Sequence, residues 1–324
     1  MSSSEPRVTW LMSVLNGMPF LPETLACVEA QTYKDAELLA LDCGSTDGTL
    51  EELNRWIPAR IPGRVMRREM ISLGAALALL VEECGSEYCA RIDADDLTTQ
   101  DRLQKQVKFL DQHPEVAVVG GDYVCVDSAN REVDTVWRQP KSDAEVRWLV
   151  RFGCPYMHSA VLFRRSAILQ IGNYRDVRVQ DYDLWMRIAP RFEMVNLDEV
   201  LVRYRVHDRS IMAQCNRDMR LLTRLVSEDY KDDLFSGLSG DEALRLQSIV
   251  ERDAEEPVRW TDFGLLRRAA EKTALSLGRP ADYFTATSVY RKQRKELRRN
   301  WALQFAPVRW AVYAKRGLRR LVSN

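Results

Sequence analysis

Tyr88-Cys89-Ala90-Arg91-Ile92-Asp93-Ala94-Asp95-Asp96 is the stretch whose reading decides the fold. It reads as a short strand that runs into three carboxylates and then at once into a helix signal. Thr98 and Asp101 fit the Ser/Thr-x-x-Asp/Glu capping pattern, and Leu103, Val107 and Leu110 follow at helical spacing. Carboxylates at the carboxyl end of a strand sit where open α/β sheets place their ligands. Asp93 and Asp95 are two apart, so an extended segment points them the same way. Three acids this close repel one another unless a cation offsets them, and hard divalent metals favour oxygen ligands. A solvated acidic turn capping a helix is the competing reading of the same residues. The rest of the chain has to decide.

Upstream, residues 8–15 form an apolar run broken only by Thr9 and Ser13 and ended by Asn16-Gly17. That pattern predicts a strand buried on both faces, as in a parallel sheet. A helix is expected around Leu21, Leu25 and Val28, with Pro19 and Pro22 near its start. A second strand over 37–41 empties into Asp42-Cys43-Gly44-Ser45-Thr46-Asp47-Gly48-Thr49, rich in turn formers, which opens a helix carrying Leu50, Leu53 and Ile57. A strand over 64–68 and a helix over 74–84 lead back to the opening stretch. Such alternation predicts βαβ units and a parallel sheet with right-handed crossovers.

Downstream the pattern changes. Residues 116–120, 123–126 and 133–137 read as short strands of an antiparallel extension, and 148–152 as helical. Cys154-Pro155-Tyr156-Met157-His158 leads into an apolar run over 160–163. Gly172-Asn173-Tyr174 then precedes Val179-Gln180-Asp181-Tyr182-Asp183-Leu184-Trp185. Leu184, Trp185 and Ile188 make an apolar helix face, so Asp181 is expected at or near that helix's N-terminus, where the dipole favours negative charge. From 216 onward the chain reads as mostly helical, with Leu221, Leu222, Leu225 and Val226, then Leu244, Leu246, Ile249 and Val250. The expected division is a first domain over 1–212, with halves of about 8–115 and 116–212, and a helical region over 213–324.

Charge is balanced overall, at 47 Lys/Arg against 47 Asp/Glu, but unevenly placed. Residues 291–324 hold eleven of the bases and one acid, Glu296, with Trp301, Phe305, Trp310 and Tyr313 between the basic clusters. Bases interleaved with aromatics suit a segment lying in an anionic membrane interface, or one whose aromatics pack back on the protein; nucleic acid is not expected as a partner. The seven cysteines (27, 43, 84, 89, 125, 154 and 215) are odd in number and without C-x-x-C spacing, which fits reduced core residues and argues against zinc. With no signal-type leader and no stretch near the ~20 apolar residues of a spanning helix, the expected location is cytoplasmic, peripheral on the membrane if the tail binds it.

Seven pieces in order over 8–210 resemble the GT-A-fold, family 2 glycosyltransferases, which use nucleotide-diphosphate sugars. They are the first strand to Asn16-Gly17; Gln31-Thr32-Tyr33-Lys34-Asp35; Asp42 to Thr49; Ile92 to Asp96 with Asp101-Arg102-Leu103; His158-Ser159-Ala160-Val161 with Phe163-Arg164-Arg165; Gln180 to Trp185; and Tyr204-Arg205-Val206-His207 with Ser210. The resemblance implies an α/β fold of GT-A type, a mostly parallel Rossmann-like sheet with helices on both faces, plus a helical C-terminal region. It implies Asp95 as ligand of Mg2+ or Mn2+ with His207 at the metal or diphosphate, Asp93 beside the ribose, and Asn16 and Asp42 in the nucleotide site. Asp181 becomes the base that takes a proton from an acceptor hydroxyl as it attacks the anomeric carbon with inversion. The implied partners are a nucleotide-diphospho-sugar donor and a glycan or lipid-linked acceptor for a cell-surface polysaccharide or glycolipid.

Each role has a structural competitor: an Asx turn for Asp42, a helix N-cap for Asp181, a surface loop for His207. His158, beside an apolar strand, reads as a structural histidine. Three departures from the family pattern leave the nucleobase open. Cys43 stands where a second acid is common, and a thiol is a poor acceptor for a base N–H. Ala78 and Leu79 replace a frequent Asn and Arg, and Ser13 and Leu15 replace a usual Pro and Tyr. A nucleotidyltransferase of related fold would need a Gly- and Arg/Lys-rich loop that Asn16-Gly17-Met18-Pro19 does not supply. A non-catalytic nucleotide-sugar or glycan-binding scaffold is the alternative from another class, and it has no need of Asp181 opposite Asp93 and Asp95.

Overall fold

The structure, a computed structural model, describes residues 5–207, 238–251 and 257–302. The expected helix at 221–226, Cys215, Ser210, the 212/213 boundary and the tail beyond 302 lie outside the described residues. Two compact units emerge, one of residues 5–146 and 153–207, the other of 147–152 with 238–251 and 257–302.

The first unit is built on one eight-stranded sheet. Its first half alternates as the sequence predicts: β1 (Val8–Val14), α1 (Leu21–Glu29), β2 (Ala36–Asp42), α2 (Thr49–Trp56), β3 (Gly63–Arg67), α3 (Leu73–Glu83) and β4 (Tyr88–Arg91). These four strands run parallel in the order β3-β2-β1-β4. Helices on both faces exclude water from β1, β2 and β4, and Trp10, Met12, Leu38, Ala40 and Ala90 pack with Leu25, Leu53, Trp56 and Leu103 in one core.

The second half departs from the expected run of short strands. A two-residue β5 (Leu97–Thr98) and α4 (Arg102–Gln112) precede β6 (Val116–Val126), a single long strand where two were expected. Gly120-Gly121 reads as a break, yet the chain passes straight through it. A Cβ at 120 would meet Asn196 Oδ1 and the Tyr156 ring, and one at 121 would meet the Leu201 side chain. Glycine stands there for close packing, not for a turn. Residues 133–137 are not a full strand either, making only the isolated bridges Tyr123–Trp137 and Val126–Glu132. The extension is mixed: β7 (Leu162–Arg164) is antiparallel to β4 and β6, β8 (Glu193–Arg205) is parallel to β6, and β5 is antiparallel to β8. Between them lie α5 (Asp143–Leu149), α6 (Arg165–Gln170) and α7 (Gln180–Ile188).

Thr98 does not cap α4. It sits in β5 with its hydroxyl on the Leu201 carbonyl, and Asp101 is the N-cap without a side-chain bond. Instead α4 is anchored from its buried side. The 3-10 turn His158–Ala160 lies just before β7, where pairing with β4 ends, and Arg102 donates to the carbonyls of Ser159 (2.6 Å), Arg91 (2.9 Å) and Val161 (3.0 Å). Gln106 serves Val119 and Ala160 at 2.9 Å each. Buried carbonyls left without donors are costly, so this pair stands in for missing ladder bonds. Replacing Arg102 with Met is expected to lower unfolding free energy by about 3 kcal/mol or more, with Lys recovering only part because it lacks the planar fork. A urea titration checks it, and a Met variant within about 0.5 kcal/mol of wild type would refute the anchoring role.

The second unit is helical, with α8 (Gly240–Glu251), α9 (Thr261–Ser276) and α10 (Ser288–Ala302). Trp148, buried, rests on Phe284 and Tyr290 with ring centroids at 5.4 and 5.8 Å and donates its indole N–H to Gln293. Of the basic tail, residues 291–302 fall within α10. None of the described helices is long and apolar enough to cross a membrane.

Candidate active site

β4 stops at Arg91, and Asp96 N–H then donates to the Asp93 carbonyl at 3.3 Å. The three acids therefore occupy a turn. The expectation of an extended segment that points Asp93 and Asp95 the same way is not met, since the segment turns; buried Asp96 Oδ1 accepts the Arg205 backbone N–H at 3.0 Å. The other oxygen, Asp96 Oδ2, is buried with no hydrogen-bond partner among the described residues. Burial pushes the Asp96 carboxyl well above its ordinary value, and the charges of Asp95 and Asp93 push it further. Asp93 is raised by burial against the pull of Arg91, with Asp95 adding to the rise. Buried Arg91 holds Asp93 by an ion pair while donating to the carbonyls of Leu11 and Ile92.

The last residues of β8 and those just after it close over this turn. Arg205, fully buried, donates to Asp95 O (2.9 Å), Ser128 O (3.2 Å) and Glu23 Oε2 (2.8 Å), with its guanidinium 4.7 Å from the Phe20 ring centre. Two residues on, His207 packs against the same Phe20 ring, 4.7 Å between centroids, and sets Nε2 3.0 Å from Asp95 Oδ2. His207 is thus brought onto the acidic turn.

Asn16 and the Asp42 loop lie at the carboxyl ends of β1 and β2 and are tied to each other. Asn16, at φ 56°, is in the left-handed region that Asn tolerates. Its Oδ1 accepts from Thr46 N (2.9 Å), its N–H donates to Ser45 Oγ (2.9 Å), and Met18 N–H donates to Asp47 Oδ2 (3.0 Å). Asp42 is buried, and its carboxylate accepts from Ser45 N (3.2 Å) and Gly44 N (3.4 Å) with Arg67 Nε at 3.7 Å. Its oxygens serve its own loop in the manner of an Asx turn. These bonds of Asn16 and Asp42 lie within the loop pair, with Arg67 beside Asp42.

Asp181 enters from α7. Val179, not Asp181, is the N-cap residue, and Asp181 lies in the first turn. Its Oδ1 accepts from Tyr182 N at 2.8 Å, and Oδ2 lies 3.8 Å from Cys154 Sγ. Burial raises its pKa above the ordinary 3.8, and the nearby Asp93 charge raises it further. A carboxylate destabilised as an anion is a better proton acceptor near neutral pH. His158 bonds the Tyr174 hydroxyl at 2.9 Å and is pushed well below its ordinary pKa by burial, the condition of a neutral structural histidine.

Residues 9–172 match the family model Glycosyl transferase family 2. The chain belongs to that family. It is a glycosyltransferase. Similar family members include the putative glycosyltransferase EpsE of Bacillus subtilis (strain 168), 31% identical over 212 residues, spanning 63% of this chain and 74% of EpsE. The amylovoran biosynthesis glycosyltransferase AmsE of Erwinia amylovora is 29% identical over 188 residues, spanning 57% of this chain and 70% of AmsE. Among solved structures, S. aureus TarS 1–349 in complex with UDP-GlcNAc superposes with a TM-score of 0.58 at 14% identity, over 91% of this chain and 89% of that one. The mannosyltransferase PcManGT from Pyrobaculum calidifontis, in complex with GDP-Man and Mn2+, gives 0.52 at 20% identity, over 93% and 88%. These two share the GT-A fold with the enzyme.

Asp95 and His207 fit a divalent cation in one respect that can be measured. Two neighbouring ligands at about 2.1 Å on an octahedral ion stand about 3.0 Å apart, and Asp95 Oδ2 and His207 Nε2 are 3.0 Å apart. Among the described residues no group of three or more His, Cys, Asp or Glu could hold a metal ion.

Sequence reasoning passed over several residues of this glycosyltransferase site. Arg91 lies inside the stretch that decided the fold, but a lone Arg in a strand carries no signal of its own. Arg205 sits between the quoted Tyr204 and His207, and nothing in one dimension shows it reaching Glu23. The cysteines read as reduced core residues from their apolar surroundings, and nothing in the sequence singled out Cys154. Cys84 and Cys89 are indeed buried, whereas Cys154 is exposed at the side of Asp181.

Proposed function

We propose that the enzyme moves a sugar, with inversion, from a nucleotide-diphospho-sugar to a hydroxyl of a glycan or lipid-linked acceptor, in building a cell-surface polysaccharide or glycolipid. The observation that carries this is Asp181, a carboxyl raised by burial and within electrostatic reach of Asp93 on the acidic turn that bears the Asp95–His207 pair. The acceptor hydroxyl gives its proton to Asp181 and its oxygen forms the new bond to the anomeric carbon. The bond from that carbon to the diphosphate oxygen breaks on the opposite side, and the nucleoside diphosphate leaves with the electron pair. Asp95 and His207 are the residues that would hold Mg2+ or Mn2+, which would supply positive charge against the diphosphate. Asp93, positioned by Arg91, sits at the ribose, and Asn16 and Asp42 shape the nucleotide loop. The nucleotide-sugar complexes of the TarS and PcManGT structures, the second with Mn2+, lend support, as do relatives named for amylovoran and O-antigen biosynthesis. We place the enzyme at the cytoplasmic face of the membrane, drawn there by the bases of residues 291–324.

Donor hydrolysis tests the reading without a known acceptor. The full chain is incubated with Mn2+ and a panel of UDP- and GDP-sugars, and the first-formed free sugar is read by proton NMR before mutarotation. The anomer opposite to that of the donor is expected, and none with a chelator present. Retained configuration would end the inverting mechanism, and turnover indifferent to chelation would end the metal.

A further inference from the structure

Beyond β7, the free edge of β6 is taken by the returning chain. Asp127 closes the turn by accepting from Ala129 N and Arg131 N, each at 2.9 Å. Trp137 N–H then donates to Tyr123 O at 2.8 Å. This brings Trp137 parallel to Tyr123, with centroids 5.9 Å apart and 8° between planes, while Tyr204 meets Tyr123 edge-on at 6.2 Å. The indole N–H donates to Asp134 Oδ2 at 3.1 Å, so the ring is fixed from two directions, yet Trp137 is 48% exposed. Single exposed apolar side chains are ordinary on a protein surface. A large flat ring held rigid on another ring, with an acid locked to its edge, is a different arrangement.

Its place in the fold gives it meaning. Tyr204 adjoins Arg205, and its phenol is pushed up by burial and by the charges of Asp96, Asp93 and Asp95. The Tyr123 phenol is likewise pushed up by burial, then by Cys125, Cys154 and Asp134. Cys154 is the residue 3.8 Å from Asp181. Through Tyr204 the aromatic group reaches β8 one residue from Arg205, whose backbone N–H bonds Asp96. A pyranose suits such a surface, because its apolar C–H face stacks on a π-face while its hydroxyl rim hydrogen-bonds to carboxylates and phenols. An anionic lipid does not, since Asp134 is bonded to the ring's edge. We propose that Trp137, backed by Tyr123 and held by Asp134, is the platform on which a sugar ring of the acceptor glycan stacks. This deepens the sugar-transfer reading above and rests on it.

The test uses the full chain, Trp137→Leu, which keeps an apolar side chain without a π-face, and Trp137→Phe, which keeps the face. Saturation-transfer NMR is run with methyl pyranosides and disaccharides of glucose, galactose, mannose and N-acetylglucosamine, with MnUDP and MnGDP affinity measured in parallel by calorimetry on a separate sample. At least one glycoside is expected to receive saturation on one ring face, binding about tenfold more weakly to the Leu variant and within about threefold of wild type for Phe. Nucleotide affinity is expected to be equal in all three. Glycoside binding unaffected by Leu overturns the platform, as does a folded Phe variant that loses binding as fully as Leu. Absence of any glycoside signal with nucleotide binding intact overturns the platform and leaves the transfer reading standing. A wild-type chain that binds neither nucleotide ends both. Should Leu fail to fold by thermal melt, Trp137→Gln replaces it under the same criteria.

Discussion

Asp181→Asn is expected to slow sugar transfer by about 10²–10⁴-fold while leaving nucleotide affinity unchanged. The amide keeps the hydrogen bond from Tyr182 but cannot take a proton. The raised pKa gives two further signs. Activity needs the ionised form, so the acid limb of kcat/KM should lie above the range of an ordinary carboxylate near 3.8. A carboxyl whose folded pKa is raised stabilises the fold only while protonated, and that contribution is lost as pH rises through the raised value. At neutral pH the charged Asp181 is thus a burden on the folded state, and the Asn variant should melt no lower than wild type, and higher if anything. A variant that loses both transfer and several degrees of melting temperature would point to a structural role instead.

Asp95→Ala is expected to abolish the Mn2+-dependent part of nucleotide binding, weakening it by about 100-fold or more, since a lost ligand should cost at least as much as a lost supporting partner. His207→Ala should act in the same direction with a smaller loss. Calorimetry with UDP and GDP, each with Mn2+ or with chelator, reads both. The Asp95→Ala chain should fold, because Asp95 holds the turn through its backbone carbonyl, which the substitution leaves in place for Arg205. Unchanged nucleotide affinity in Mn2+ would sink the assignment.

The nucleotide half of the fold was legible because its signals are local. Apolar runs bounded by turn formers mark β1, β2 and β4 within a residue or two, and turn chemistry marks the loops that join Asn16 to Asp47. The same rules fail where a residue's job is set by distant chain. Gly120-Gly121 looks like a break because one dimension shows only absent side chains, whereas Tyr156, Asn196 and Leu201 need the space. Thr98 looks like a cap because β8, its partner, lies about a hundred residues on. Asp93 and Asp95 were read on an extended segment, whereas the segment is a turn that Arg205 bonds at Asp95 and Asp96 from more than a hundred residues away. The resemblance carried the residue types of the site, and the pairing of Asp95 with His207 brings two of them together. The aromatic group around Trp137 had no signal beyond its composition.

The bonds that close over the acidic turn all cover long distances along the chain: 109 residues from Asp96 to Arg205, 112 from Asp95 to His207, and 182 from Glu23 to Arg205. Synthesis runs from the amino end, so β1 to β4 can pair once about residue 91 has left the ribosome, while the clamp does not exist until 207 has. Closing such loops is entropically slower than forming neighbouring contacts. During that interval the nascent chain displays a parallel half-sheet whose β4 edge waits for β7 and whose acidic turn waits for Arg205 and His207. A message truncated between the two halves yields that species permanently, with an open sheet edge of the kind that other chains pair with.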